Sequence, residues 1–113
     1  MKVVNAYIKS HKLPQVVEAL HRIDGLSGVT VLHAQGFGRT RTPSEGERAD
    51  DLGLLEPHEK IEILCRDALA EEVVAVIETT AHTGLRGDGK IYVYSAEETV
   101  RIATGERDED AEG

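Results

Sequence analysis

The pattern that most restricts this chain is a change of hydrophobic period that happens twice. Residues 3–9 alternate, with Val4, Ala6 and Ile8 on one face and Val3, Asn5, Tyr7 and Lys9 on the other. A period of two belongs to a half-buried strand. Residues 13–24 then place Val16, Ala19, Leu20 and Ile23 at three- and four-residue steps, the stripe of an amphipathic helix. Pro14 suits the first turn of that helix, and Gly25 stands where a glycine commonly ends one. A second strand covers residues 28–36. The switch then recurs: residues 58–66 turn Ile61, Ile63 and Cys65 one way and Lys60, Glu62, Leu64 and Arg66 the other. Asp67 reads as the N-cap of a helix that buries Leu69, Val73, Val76, Ile77 and Thr80. A fourth strand carries Ile91 and Val93 inward and Lys90, Tyr92 and Tyr94 outward. Ser95 and Glu98 stand at capping-box spacing, so residues 95–99 read as a short helical turn.

The order β-α-β-β-α-β predicts an α+β fold of the ferredoxin-like kind, an antiparallel sheet with two helices on one face. The opposite face keeps Val3, Tyr7, Leu64 and Tyr92, so three such sheets can pack around an axis. At 113 residues the chain supports one domain with one core. Residues 1–105 form that domain. Residues 106–113 are acidic and poor in apolar side chains and read as a flexible tail.

The net charge of −8 argues against nucleic acid or an anionic membrane as the main partner. A single cysteine, Cys65, allows no intrachain disulfide and fits a reducing, cytoplasmic home. Its strand position makes it a small buried apolar residue. The sequence has no apolar run of the roughly 18 residues that a membrane helix needs, and its first residues lack a signal core.

Residues 40–57 follow neither period. An insertion of that length in a small domain is normally functional. Its Leu52, Leu54 and Leu55 are expected to dock on the domain or on a partner.

Two glycine-rich stretches carry the candidate chemistry. Gly84, Gly87 and Gly89 punctuate residues 83–89, with Arg86 and Lys90 beside them. The plain reading is a turn feeding a strand. The functional reading is a nest of backbone N–H groups that receives an anion. It is not a Walker A loop, because no Gly-Lys-Ser/Thr ends it and no helix opens from it. Gly36-Phe37-Gly38-Arg39 has the form of a phosphate-approach turn, although such glycines also make β-bulges. The five histidines, His11, His21, His33, His58 and His82, are scattered without metal-ligand spacing. No nucleophile and base pair suggests catalysis.

Taken in order, Lys9 with Lys12-Leu13, Gly36-Phe37-Gly38-Arg39, Lys60-Ile61-Glu62-Ile63, Thr83-Gly84 with Gly87-Asp88-Gly89-Lys90-Ile91, and Arg101-Ile102-Ala103-Thr104-Gly105-Glu106 resemble the PII signal-transduction family, the small trimeric nitrogen-regulatory proteins. The resemblance spans nearly the whole chain. It implies a homotrimer with adenine nucleotide (ATP, ADP or AMP) in clefts between subunits, and a cytoplasmic regulator rather than an enzyme. By similarity, Gly36, Gly38 and Arg39 approach the phosphates from one side, and Gly87, Asp88, Gly89 and Lys90 cradle them from the other. Thr30, Glu62 and Leu64 fall at the adenine end, and Arg101 comes from a neighbouring subunit. Loop 40–57 corresponds to the T-loop, which docks on a target such as a membrane transporter or a metabolic enzyme.

Three positions depart from the family pattern. Thr40 replaces the glutamine that holds magnesium and helps bind 2-oxoglutarate, His58 aligns with the lysine that binds the same keto acid, and Ala103 replaces a second arginine. The loss of that arginine is expected to weaken triphosphate binding relative to ADP or AMP. No loop tyrosine is available for modification, since the tyrosines are Tyr7, Tyr92 and Tyr94. The alternative is a PII-like protein responsive to a metal or a small anion such as bicarbonate, with His58 between Glu56 and Glu59 as its nucleus.

Overall fold

A computed structural model describes residues 1–36 and 55–111. Four strands form one sheet: β1 (Lys2–Lys9), β2 (Thr30–Gly36), β3 (Glu56–Cys65) and β4 (Gly89–Ser95). Two helices, α1 (Leu13–His21) and α2 (Asp67–Ala81), connect β1 to β2 and β3 to β4. The strand order is β2-β3-β1-β4, and every neighbouring pair is antiparallel. Each helix therefore carries the chain past one intervening strand, which is the split, ferredoxin-like arrangement predicted.

The alternation in β1 and β3 sets the core. Val4, Ala6 and Ile8 are buried on one face of β1, opposite Ile63 and Ile61 of β3. They meet Val16 and Leu20 of α1 and Val73 and Ile77 of α2 in one cluster. Each valine, leucine or isoleucine side chain so buried contributes about 1.5–3 kcal/mol relative to exposure. Cys65 is fully buried in the same cluster. Glu59 is a charged residue buried on this face, 6% exposed, and its Oε2 lies 2.5 Å from His33 Nδ1 on β2.

Several local expectations are corrected. A 3-10 turn (Ser10–Lys12) precedes α1, and α1 ends at His21, not Asp24. Its exit tightens through Arg22 N–H to Ala19 O and Ile23 N–H to Leu20 O, and Gly25 takes a φ of +85°. β2 begins at Thr30 rather than residue 28, and β3 begins at Glu56, inside the stretch read as loop. Asp67 opens α2 as its first residue and makes no cap; its carboxylate takes the Met1 ammonium at 3.0 Å, which holds it below the usual carboxylate range. The buried residues of α2 are Ala70, Val73, Ile77 and Ala81; the predicted Leu69 and Val76 pack partly buried against the core, and Thr80 is half-buried. Val93 stays 46% exposed because β4 is an edge strand that α2 barely covers. Residues 95–99 form no helix: Ser95 Oγ accepts from Lys2 Nζ, Ala96 N–H donates to Met1 O, and Glu98 pairs with Arg107.

Beyond β4 the chain doubles back through a bridge between Val100 and Arg107, then makes a 3-10 turn (Asp108–Ala111). No helix among the described residues is long and apolar enough to cross a membrane.

Candidate functional site

The glycine-rich stretch lies between the end of α2 and the start of β4 and folds over the end of β1. Asp88 organises it. Its Oδ2 accepts the backbone N–H of Thr83 at 2.8 Å and that of Gly84 at 3.2 Å. Its Oδ1 accepts the Thr83 hydroxyl, and Lys9 Nζ lies 3.2 Å away. His82 Nδ1 stands 3.6 Å from Oδ2. The Thr83 hydroxyl in turn accepts from Lys9 Nζ and from the Leu85 N–H, both at 3.1 Å, which fills its capacity of one donated and two accepted bonds. This side-chain-to-backbone closure is the chemistry that threonine and aspartate bring to turns. The Thr83 bonds, with help from Lys9 and Gly84, hold the Asp88 carboxyl far below its usual range.

Glycine is required at the exit of the turn. Gly87 and Gly89 both have positive φ, +80° and +105°. A side chain at Gly89 would start 1.6 Å from the Tyr7 carbonyl oxygen, so β4 can enter the sheet beside β1 only with glycine there.

β3 touches the same turn. His58 places Nδ1 3.1 Å from Glu56 O and Nε2 3.3 Å from Gly87 O. Glu56 Oε2 lies 3.4 Å from where a Cβ on Gly87 would stand. Gly36 is the register partner of Glu56. Gly36, at the end of β2, and Gly87, in the turn, thus flank the first residue of β3.

The other sequence-predicted residues fall into separate groups. Thr30 pairs with Glu62, and Leu64 lies two residues further along β3. The strand register puts Thr30, Glu62 and Leu64 on the sheet face away from the helices, at the β2–β3 edge. Lys90 pairs with Tyr7 at the β4 edge, two strands beyond β3. Three steps of strand spacing separate the two edges by roughly 14 Å. Arg101 lies beyond β4 in the doubled-back segment, where its N–H donates to Glu106 O and its carbonyl accepts from Gly105 N–H. One chain therefore sets Gly87 beside Glu56, the register partner of Gly36, and leaves Thr30 and Lys90 on opposite edges of the sheet. Gly38 and Arg39, with Thr40 and residues 41–54 of the loop, lie outside the described residues. A cleft of about 390 Å³ opens beside the turn on the helix side, bordered by Ile8, Ala81, His82, Asp88 and Lys90.

Lys9 and Thr83 belong to this site although periodicity gave them no role beyond strand and turn. The signal for Thr83 was present in its spacing to Asp88. The partner of Lys9 was not legible, because it lies on the far side of the sequence. Among the described residues no group of three or more His, Cys, Asp or Glu is placed to hold a metal.

Residues 1–106 match the family described as nitrogen regulatory protein P-II. The chain is 48% identical over 112 residues to the nitrogen regulatory protein P-II of Rhodospirillum rubrum, covering 98% of this chain and 99% of that protein. It is 46% identical to the protein of the same name from Azospirillum brasilense and 43% identical to that from Haemophilus influenzae, with the same coverage. The chain therefore belongs to the nitrogen regulatory protein P-II family, whose members are regulators and not enzymes.

Proposed function

We propose that this protein is a cytoplasmic signalling regulator that binds an adenine nucleotide in clefts completed by neighbouring copies of itself, and acts on a target protein through loop 40–57. The observation that carries this reading is the division of the predicted site within one chain. Lys90 sits on the β4 edge of the sheet, and Thr30 on the β2 edge beside Glu62 of β3. A nucleotide reaching both kinds of group needs two chains side by side, and a closed ring of three such sheets supplies three equivalent clefts. Backbone N–H groups with Lys90, Arg39 and Arg101 give charge-assisted contacts to a polyphosphate.

In such a ring the base of the loop is linked to the ligand through Glu56, which pairs with Gly36 across the base of the loop and lies beside Gly87. A ligand shifts the loop only by the difference in its affinity for two loop states.

The test is calorimetric titration with ATP, ADP and AMP, with and without magnesium, on the wild type and on a variant carrying Arg39→Ala and Lys90→Ala. The variant is expected to lose nucleotide binding while sedimenting as a trimer like the wild type. Unchanged affinity in the variant overturns the site assignment, and a wild type that sediments as a monomer overturns the shared cleft.

A further inference from the structure

Two residues that are register partners on adjacent strands grip the glycine-rich turn from below. Lys9 closes β1, and His58 lies opposite it on β3. Lys9 Nζ holds the Asp88 carboxylate at 3.2 Å and the Thr83 hydroxyl at 3.1 Å, and the Lys9 side chain is only 18% exposed. His58 Nε2 stands 3.3 Å from the Gly87 carbonyl oxygen and Nδ1 3.1 Å from that of Glu56; a neutral ring has one N–H, and the tautomer that carries it on Nε2 donates to Gly87. One residue thus fixes the side chain of Asp88 and the other the carbonyl just before it, so the peptide between Gly87 and Asp88 is held from both sides. All peptide bonds described are trans. In a trans peptide the N–H points opposite to the carbonyl. A Gly87 carbonyl turned toward His58 therefore aims the Asp88 N–H away from β3.

We propose that Lys9 and His58 are positioning residues for the phosphate end of the nucleotide site: they touch the turn rather than the ligand, and preset the backbone N–H groups that receive the phosphates. This rests on the nucleotide reading above. Preset donors need no reorganisation when the anion arrives, which is why a distant clamp alters affinity. The ammonium of Lys9 is already engaged by Asp88 and Thr83, so its contribution runs through them.

The test compares ADP with adenosine on the wild type, Lys9→Met, Lys9→Arg, His58→Leu, His58→Gln, Asp88→Asn and the double variant Lys9→Met/Asp88→Asn. Lys9→Met and His58→Leu are expected to weaken ADP roughly tenfold, the order of a charge-assisted bond, and to leave adenosine unchanged. His58→Gln, which keeps a donor for Gly87 O, and Lys9→Arg, which keeps the cation, are expected to recover most of the loss. The double variant is expected to bind ADP no worse than the weaker single one, because both act through one contact. Equal losses for ADP and adenosine, or an unchanged ADP affinity, overturn the proposal. Tighter ADP binding by Asp88→Asn also overturns it, since a freed Lys9 would then be a direct ligand. If Lys9→Met does not fold, the His58 pair decides alone. A wild type that binds neither compound overturns the nucleotide reading itself, and an ADP-binding wild type with indifferent variants overturns only the positioning role.

Discussion

Asp88 accepts the backbone N–H of Thr83 at 2.8 Å and its hydroxyl as well, so one carboxylate closes the turn that leads into β4. The negative charge is thereby directed into the turn, where Lys9 balances it. A turn closed in this way can present backbone donors to an anion without an acidic side chain beside it.

Removing the hydroxyl while keeping the shape isolates this contact. Thr83→Val is expected to lower stability by about 2 kcal/mol, the range for a hydrogen bond to a charged group that leaves its partners unmatched. The urea midpoint reads this directly, with an unchanged slope. A midpoint equal to that of the wild type would show that water replaces the hydroxyl.

The same carboxylate makes stability depend on acid pH. Its folded value lies below the ordinary one, so the folded state prefers the ionised form. The stabilisation is then fully present above the unfolded value of about 3.9 and is lost as pH falls toward the folded one. The stability difference between wild type and Asp88→Asn is expected to be largest near neutrality and to shrink steadily below about pH 4. Thermal unfolding of both proteins from pH 6 to pH 2.5 checks this; a constant difference sinks it.

Gly89 tolerates no side chain. A Cβ there would overlap the Tyr7 carbonyl, at 1.6 Å, on a backbone with φ of +105°. Strain and overlap together are expected to cost Gly89→Ala about 4 kcal/mol. Chemical denaturation measures the loss. A variant as stable as the wild type would mean that β4 can enter the sheet by another path.

Cys65 is buried between the sheet and the helices. Its thiol is expected to resist an aromatic disulfide reagent in the native protein and to react fully in denaturant, since a buried site excludes the reagent. Rapid native labelling would place the β3 register one residue off.

The strand and helix order was legible because periodicity is local. Val4, Ala6 and Ile8 had to share a face whatever they met, and so did Ile61, Ile63 and Cys65. The errors cluster where a side chain had a choice of partners. Asp67 and Ser95 had the right chemistry for caps, but the Met1 ammonium and Lys2 Nζ, brought next to them by β1, took those oxygens instead. The stripe of α2 extends to Ala70 and Ala81 beside the predicted Val73 and Ile77, a fact of packing that spacing alone does not encode.

The same division holds at the site. The glycines at 87 and 89 and the threonine–aspartate spacing were in the sequence, because positive φ and side-chain-to-backbone closure are properties of a few neighbouring residues. The family, too, could be read from short motifs in order. Only the tertiary structure decided that Lys9 and His58 hold this turn. The three segments are distant along the chain, and they become neighbours only once the sheet sets β1 between β3 and β4 and the turn folds over its end.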